Sequence, residues 1–317
     1  MLILIPKKFT RLYDERTRAS AQYVFLSISL FLLHVFFLNF TLQRQSLFLI
    51  NQKIFCIFDA TFQDNNMKKL LFDALLLIFL TVASFWLVWE LKPVQVKIMS
   101  YNVRHCAGMD LVVDYDRTAN VIAENQPDVV ALQELDSMTG RSGRKYQLSE
   151  LANRTNYYPV FGKAIDYDGG GYGVGVLTKE KPLSSKRIPL PGEEPRVLLL
   201  VELKDYVIAC THLDLEESER LASLPLIINE AENWQKPFIL AGDWNDSIDS
   251  PLLQKLTKYF TINSGNEPSF PADEPTECID YVAALNNRPT KTLESVVIDE
   301  SEASDHRPLM VKLQLPY

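Results

Sequence analysis

"FILAGDWND" (238–246) is a run of core-strand residues that ends abruptly in polar chemistry. Phe238 to Gly242 read as a buried strand, and Asp243, Asn245 and Asp246 follow at its tip. Taken alone, a carboxylate after a strand is more often a turn former or a solvated end. The alternative is a rigid stem that carries a site. The rest of the chain decides between them.

The same layout recurs several times. "VQVKIMSYNV" (94–103) alternates apolar and polar residues as a half-buried strand and ends near Asn102. "DVVALQEL" (128–135) carries Glu134, and "YVIACTHL" (206–213) carries His212, with Asp214 just beyond. "ECIDYVAAL" (277–285) contains Asp280, and Asp305 and His306 precede a closing strand in "HRPLMVKLQL" (306–315). "YGVGVLTK" (172–179) and "RVLLLVELK" (196–204) are further strands. Helical spacing appears at 116–126 with Asp116 as N-cap, at 145–155, at 216–234 and at 250–260. In 216–234, Pro225 either kinks the helix or begins a second one. Strands outnumber helices and many are apolar on both faces, which predicts an α/β fold of two packed sheets covered by helices.

Residues of these types have a common use. Cleaving a phosphate ester needs charge neutralisation at the phosphoryl oxygens, an activated water in line with the leaving group, and a proton for that group. A hard divalent cation on carboxylates meets the first need. A histidine held by a carboxylate supplies orientation and positive charge. Amides such as Asn102 and Asn245 contact phosphoryl oxygens without adding negative charge. No Gly-x-x-x-x-Gly-Lys loop is present, which sets aside a nucleotide-cradling design.

In chain order, "SYNVRH", "PDVVALQELD", "YGVGVLTK", "THLD", "AGDWND", "IDYV" and "SDHRPL" resemble the endonuclease/exonuclease/phosphatase superfamily over about 94–315. The resemblance implies a four-layer αββα sandwich of two mixed sheets flanked by helices, with the site at one end. It implies Glu134 as the principal Mg²⁺ ligand, Asn102 beside it, and Asp305 helping to place metal or water. Asp243 matches the aspartate that orients or deprotonates the attacking water, and Asn245 the asparagine on the phosphate. His306 matches the histidine at the scissile phosphate, Asp280 its buttress, and His212 a phosphate contact or proton donor. Whether Asp243 or the His306–Asp280 pair is the base stays open at this level. Two departures stand out. Val174 replaces an asparagine that many relatives carry, and Arg104–His105 stand where abasic-site nucleases place an acidic residue. Arg104 is thereby a candidate substrate contact.

Charge narrows the substrate. Residues 1–90 hold 9 of the 32 Lys+Arg and 6 of the 40 Asp+Glu, leaving 23 basic and 34 acidic residues, net −11, for the remainder. Such a domain has no general attraction for a phosphate polymer. The four cysteines show no metal-ligand spacing, and no disulfide framework is expected.

The first 90 residues are of another kind. "YVFLSISLFLLHVFFLNF" (23–40) approaches the length of a membrane span, and 67–90, opening Met67-Lys68-Lys69, has the layout of a signal peptide or anchor. A start at Met67 leaves 1–66 outside the protein and exports the acidic domain. Two spans from Met1 would return that domain to the cytoplasmic side. The expectation is therefore a membrane-anchored or exported domain over 94–317, with the membrane as a partner. Its expected activity is that of a Mg²⁺-dependent (alternatively Mn²⁺-dependent) phosphohydrolase of small or lipid-linked phosphodiesters. The alternatives are a nuclease on DNA or RNA and a non-catalytic tethered binding domain.

Overall fold

A computed structural model describes residues 73–74, 76–82, 84 and 93–316. The chain divides into units of Met1–Glu90 and Leu91–Tyr317. Within 67–90 the described residues are helical and exposed. Among the described residues no helix is long and apolar enough to cross a membrane. The expected signal peptide or transmembrane helix over 67–90, the membrane as partner, and the membrane-anchored location are corrected on that ground. The apolar stretch at 23–40 and the start at Met67 lie outside the described residues.

The second unit holds two six-stranded mixed sheets. Its strands are β1 (Gln95–Asn102), β2 (Val129–Ser137), β3 (Tyr158–Tyr167), β4 (Gly170–Thr178), β5 (Ser184–Leu190) and β6 (Arg196–Glu202). They continue as β7 (Val207–His212), β8 (Phe238–Asp243), β9 (Phe260–Ile262), β10 (Asp280–Leu285), β11 (Lys291–Val297) and β12 (Leu309–Gln314). One sheet runs β11-β12-β1-β2-β4-β3 and the other β5-β6-β7-β8-β10-β9. Each contains one parallel pair, β1 with β2 and β7 with β8. A parallel pair needs a long crossover, and helices α1 (Tyr115–Asn125) and α3 (Glu217–Glu232) supply them. The other two helices are α2 (Gln147–Thr155) and α4 (Pro251–Leu256).

Strand alternation builds the layers. Ile98, Ala131 and Val176 from the first sheet meet Leu199, Ile208, Ala241 and Val282 from the second in one buried core. The opposite face of the first sheet packs Met99 and Leu132 on Ile122 and Leu148 from α1 and α2. Leu200 and Leu240 of the second pack on Ile227 and Leu253 from α3 and α4. Two mixed sheets flanked by helices are the expected architecture.

Local details differ from the sequence reading. The cap of α1 is Asp114, whose carboxylate accepts from the Asp116 and Arg117 N–H groups, so Asp116 lies inside the first turn. Pro225 does not begin a second helix but lies inside α3, on the exposed side, where water can meet the carbonyl it frees. The outer strands β5 and β11, polar and exposed along most of their length, carry too little periodicity to announce themselves. At Gly242 on β8, a Cβ would fall 1.9 Å from the Thr211 carbonyl oxygen of β7. Gly242→Ala should therefore cost about 3 kcal/mol of stability, readable as a lower midpoint in denaturant unfolding.

Candidate active site

The inward-facing rows of the core run on into polar residues at one end of the sandwich. Along β7 the row is Ile208, Cys210, His212; along β8 it is Ile239, Ala241, Asp243; along β10 it is Ala284, Val282, Asp280. The register makes His212 the neighbour of Asp243, and Asp243 the neighbour of Asp280. On the facing sheet the β1 row is Ile98, Ser100, Asn102. The two-residue repeat that fills the core thus delivers four site residues without any special loop.

Glu134 arrives differently. The β2–β4 register shifts between Leu132 and Leu135, and Glu134 within this bulge is left-handed (φ 58°). That backbone is rare and costly for a residue with a Cβ. It aims the carboxylate at Asn102, whose Nδ2 donates to Glu134 Oε1 at 3.0 Å and to Asp243 Oδ2 at 3.0 Å. One amide therefore links carboxylates from both sheets.

The opening stretch is a stem with alternate duties. Asp243 and Asn245 face the site, and Asn245, also left-handed (φ 50°), is held by its N–H on Asp243 Oδ1 at 3.0 Å. Trp244 is fully buried and stacks on Tyr281 at 4.8 Å. Asp246 leaves the site and pairs with Arg220 of α3 at 3.0 Å, so it anchors the turn.

His306 is carried on the turn before β12. Ser304 pins that turn by donating to the Asn102 carbonyl at 2.7 Å. His306 Nδ1 lies 2.9 Å from Asp280 Oδ2, and its Nε2 3.6 Å from Asp243 Oδ2. Ser269 donates to the same Asp280 oxygen at 2.6 Å, and the Phe270 ring lies 4.7 Å from the imidazole. Burial works against charge on this ring, but Asp280 and Asp243 outweigh it and hold the pKa up at about 10. His306 is thus an imidazolium at neutral pH. Across the site, burial takes His212 down to about 4 against the pull of Asp243. Its Nε2 accepts from Asn245 Nδ2 at 3.0 Å, which leaves the ring proton on Nδ1. Burial also raises Asp243 above the ordinary carboxylate range, with His212 and His306 opposing.

Two stability limbs follow for the metal-free protein. Between about 4 and 6.5 the unfolded His212 holds a proton that the folded one lacks, so stability rises with pH. Between 6.5 and about 10 the folded His306 holds a proton that the unfolded one has lost, so stability falls with pH. Thermal unfolding in chelator should show both limbs, and His212→Phe should flatten the acid one.

Asp305 Oδ2 pairs with Arg104 Nε at 3.2 Å, and the Arg104 N–H donates to Asn102 Oδ1 at 3.1 Å. Arg104, His105 and Cys106 are left-handed in succession. The sequence reading missed Ser269, Ser304 and Phe270, which lie where no apolar period runs.

Potential ligand atoms of Asp243, Asp280 and His306 lie within 4.8 Å of one another, the two carboxylates being the donors while His306 is protonated. Asp243 and Asp280 are 1 % and 2 % exposed, and Asp280 Oδ1 is buried without a partner. Buried carboxylates beside one imidazolium leave unbalanced negative charge, which a divalent cation would match. The Asp243, Asp280 and His306 cluster at the rim of the two-sheet sandwich is compatible with a metal-dependent phosphohydrolase or nuclease site. The chain belongs to the Endonuclease/Exonuclease/phosphatase family, whose model matches residues 99–306. No curated protein matches it. Among solved structures, an endonuclease/exonuclease/phosphatase from Beutenbergia cavernae is 23% identical at TM-score 0.62, covering 71% of this chain and 72% of that one. One from Bacteroides vulgatus is 19% identical at TM-score 0.59, covering 70% and 99%. The mannosyl-6-phosphatase Bt3783 of Bacteroides thetaiotaomicron is 16% identical at TM-score 0.54, covering 70% and 100%. At these identities the likeness is one of fold.

Proposed function

We infer that the unit over 94–317 hydrolyses a phosphodiester of small or lipid-linked type, using Mg²⁺ or, in its place, Mn²⁺. The observation that carries this is the Asn102 amide bridging Glu134 and Asp243 beside the His306–Asp280 pair. These residues fit a hard cation because the donors in reach are chiefly carboxylate oxygens. We assign Glu134 as its main ligand, with Asn102 and Asp305 beside it. When bound, the cation neutralises charge on the phosphoryl oxygens.

The chain's own groups do the rest. Asp243 receives the proton of the attacking water, its basicity raised by burial. The His306 imidazolium, locked by Asp280, stabilises the negative charge that builds on the phosphoryl group. Asn245, whose Nδ2 donates to His212 Nε2 and to the Leu213 carbonyl, and His212 flank Asp243, and we assign both to the phosphate side of the site. Arg104, paired with Asp305, adds a charged contact for phosphate. The net charge of −11 outside 1–90 weighs against long nucleic acid as substrate.

The test is hydrolysis of bis(p-nitrophenyl) phosphate with Mg²⁺, with Mn²⁺ and with chelator. Turnover that needs the metal supports the assignment. Turnover unaffected by thorough chelation rules it out.

A further inference from the structure

An ion pair at the rim joins the turn after β1 to the turn before β12: Arg104 Nε lies 3.2 Å from Asp305 Oδ2. The two side chains are 31 % and 26 % exposed, and a pair this open to water holds weakly. The backbone that carries it is strained. Arg104, His105 and Cys106 are left-handed in succession, at φ 44°, 45° and 60°. Residues with a Cβ rarely adopt that conformation, and such strain clusters at functional positions. β1 has already ended at Asn102, so no sheet ladder requires it.

The turn is tied down. The Arg104 N–H donates to Asn102 Oδ1 at 3.1 Å, and Gln147 Nε2 donates to the His105 carbonyl at 2.7 Å. The guanidinium is freer than its backbone, paired among the described residues with Asp305 through Nε. Asp305 is held as lightly. Its carbonyl accepts the Ala272 N–H at 2.8 Å, which fixes the peptide but not the carboxylate. Ser304 Oγ lies 3.3 Å from Oδ1, but the single hydroxyl proton goes to the Asn102 carbonyl at 2.7 Å. Arg104 therefore balances this carboxylate, at a rim that also gathers Glu134, Asp243 and Asp280.

Arg104 and a divalent cation compete for Asp305. A cation about 2.1 Å from Oδ2 would stand at most roughly 5 Å from Nε, close enough for like charges to repel. The cation is the stronger partner, since it carries twice the charge at shorter range and the exposed pair resists weakly. Once displaced, the guanidinium keeps its anchored backbone and a fork of N–H donors that matches a phosphate. The side chain that shields Asp305 thus becomes available to an incoming anion.

We propose that Arg104 is a positioning residue that exchanges partners: it holds Asp305 until a divalent cation takes that carboxylate, and its released guanidinium then meets the phosphate. Cation and phosphate are thereby coupled positively through one side chain, and the coupling is reciprocal. The proposal rests on the assignment of Asp305 beside the cation, and the test separates the two.

The test is a double-mutant cycle on the full-length chain, with Mn²⁺ affinity read by calorimetry and no turnover required. Arg104→Gln should tighten Mn²⁺ binding about fivefold. In an Asp305→Asn background the same substitution should leave the affinity unchanged. If Arg104→Gln does not fold, Arg104→Gly, which suits the left-handed turn, takes its place. Inorganic phosphate, titrated in chelator, should bind Asp305→Asn about fivefold more tightly than the unsubstituted chain, a gain that Arg104→Gln abolishes. Equal tightening of Mn²⁺ in both backgrounds marks charge repulsion across the site and overturns the proposal, as does no tightening in either. A phosphate gain that persists without Arg104 overturns it too. If Glu134→Gln weakens Mn²⁺ while Asp305→Asn does not, the proposal fails and the cation at the rim stands. No binding of Mn²⁺ at all overturns both.

Discussion

His306→Ala should lower kcat/KM on a phosphodiester by about ten-thousand-fold while the domain stays folded. Two losses combine. The imidazolium that faces Asp243 across 3.6 Å disappears, and with it the positive charge on which the transition state draws. Asp280 then keeps Ser269 but loses its charged partner, so a buried carboxylate is left without compensation. The second effect should appear as reduced stability, and the two can be separated. Asp280→Asn leaves His306 in place but withdraws the charge that holds it protonated. Its activity loss should therefore ease as pH falls, whereas the His306→Ala loss should not. Single-turnover rates over a pH series on both variants are the measurement.

Asp243→Ala should cost about a thousand-fold or more in kcat. Asp243 occupies the centre of the row, joined to Asn102 and to the Asn245 N–H and faced by the His306 imidazolium. Its removal takes away the group assigned to the attacking water and also frees Asn245, whose left-handed turn hangs on that carboxylate. Asp243→Asn keeps the shape and one acceptor but not the basicity. If the asparagine variant retains near-normal kcat, Asp243 does not receive the proton, and the His306–Asp280 pair becomes the base. Equal losses in the two variants support Asp243 as the proton acceptor.

Much of the site was legible because a strand repeats every two residues. Once 206–213 and 237–244 are read as buried strands, His212 and Asp243 must extend the inward rows, and the parallel register then sets them side by side. Asn102 and Asp280 follow the same rule. His306 was legible only through the "SDHRPL" motif, since it lies before its strand and not within one. Glu134 stood out in its motif without the bulge that turns it toward Asn102. Nothing in "VALQELD" announces the bulge that turns it from the alternation, because a shift of register belongs to the pair of strands. Ser269 and Phe270 come from the stretch between β9 and β10, which has no periodicity to read. The apolar composition of 67–90 invited a membrane assignment, but no described helix is long and apolar enough to cross, and composition does not fix helix length.

The central claim is that acidic and amide groups from the two sheets converge on one divalent cation at this rim. Anomalous diffraction from crystals soaked in Mn²⁺ tests it most directly. The expected result is a single strong peak at about 2.1–2.3 Å from a Glu134 carboxylate oxygen, lost in Glu134→Gln. A peak elsewhere on the molecule, or none at Glu134 while turnover still requires the metal, would contradict it.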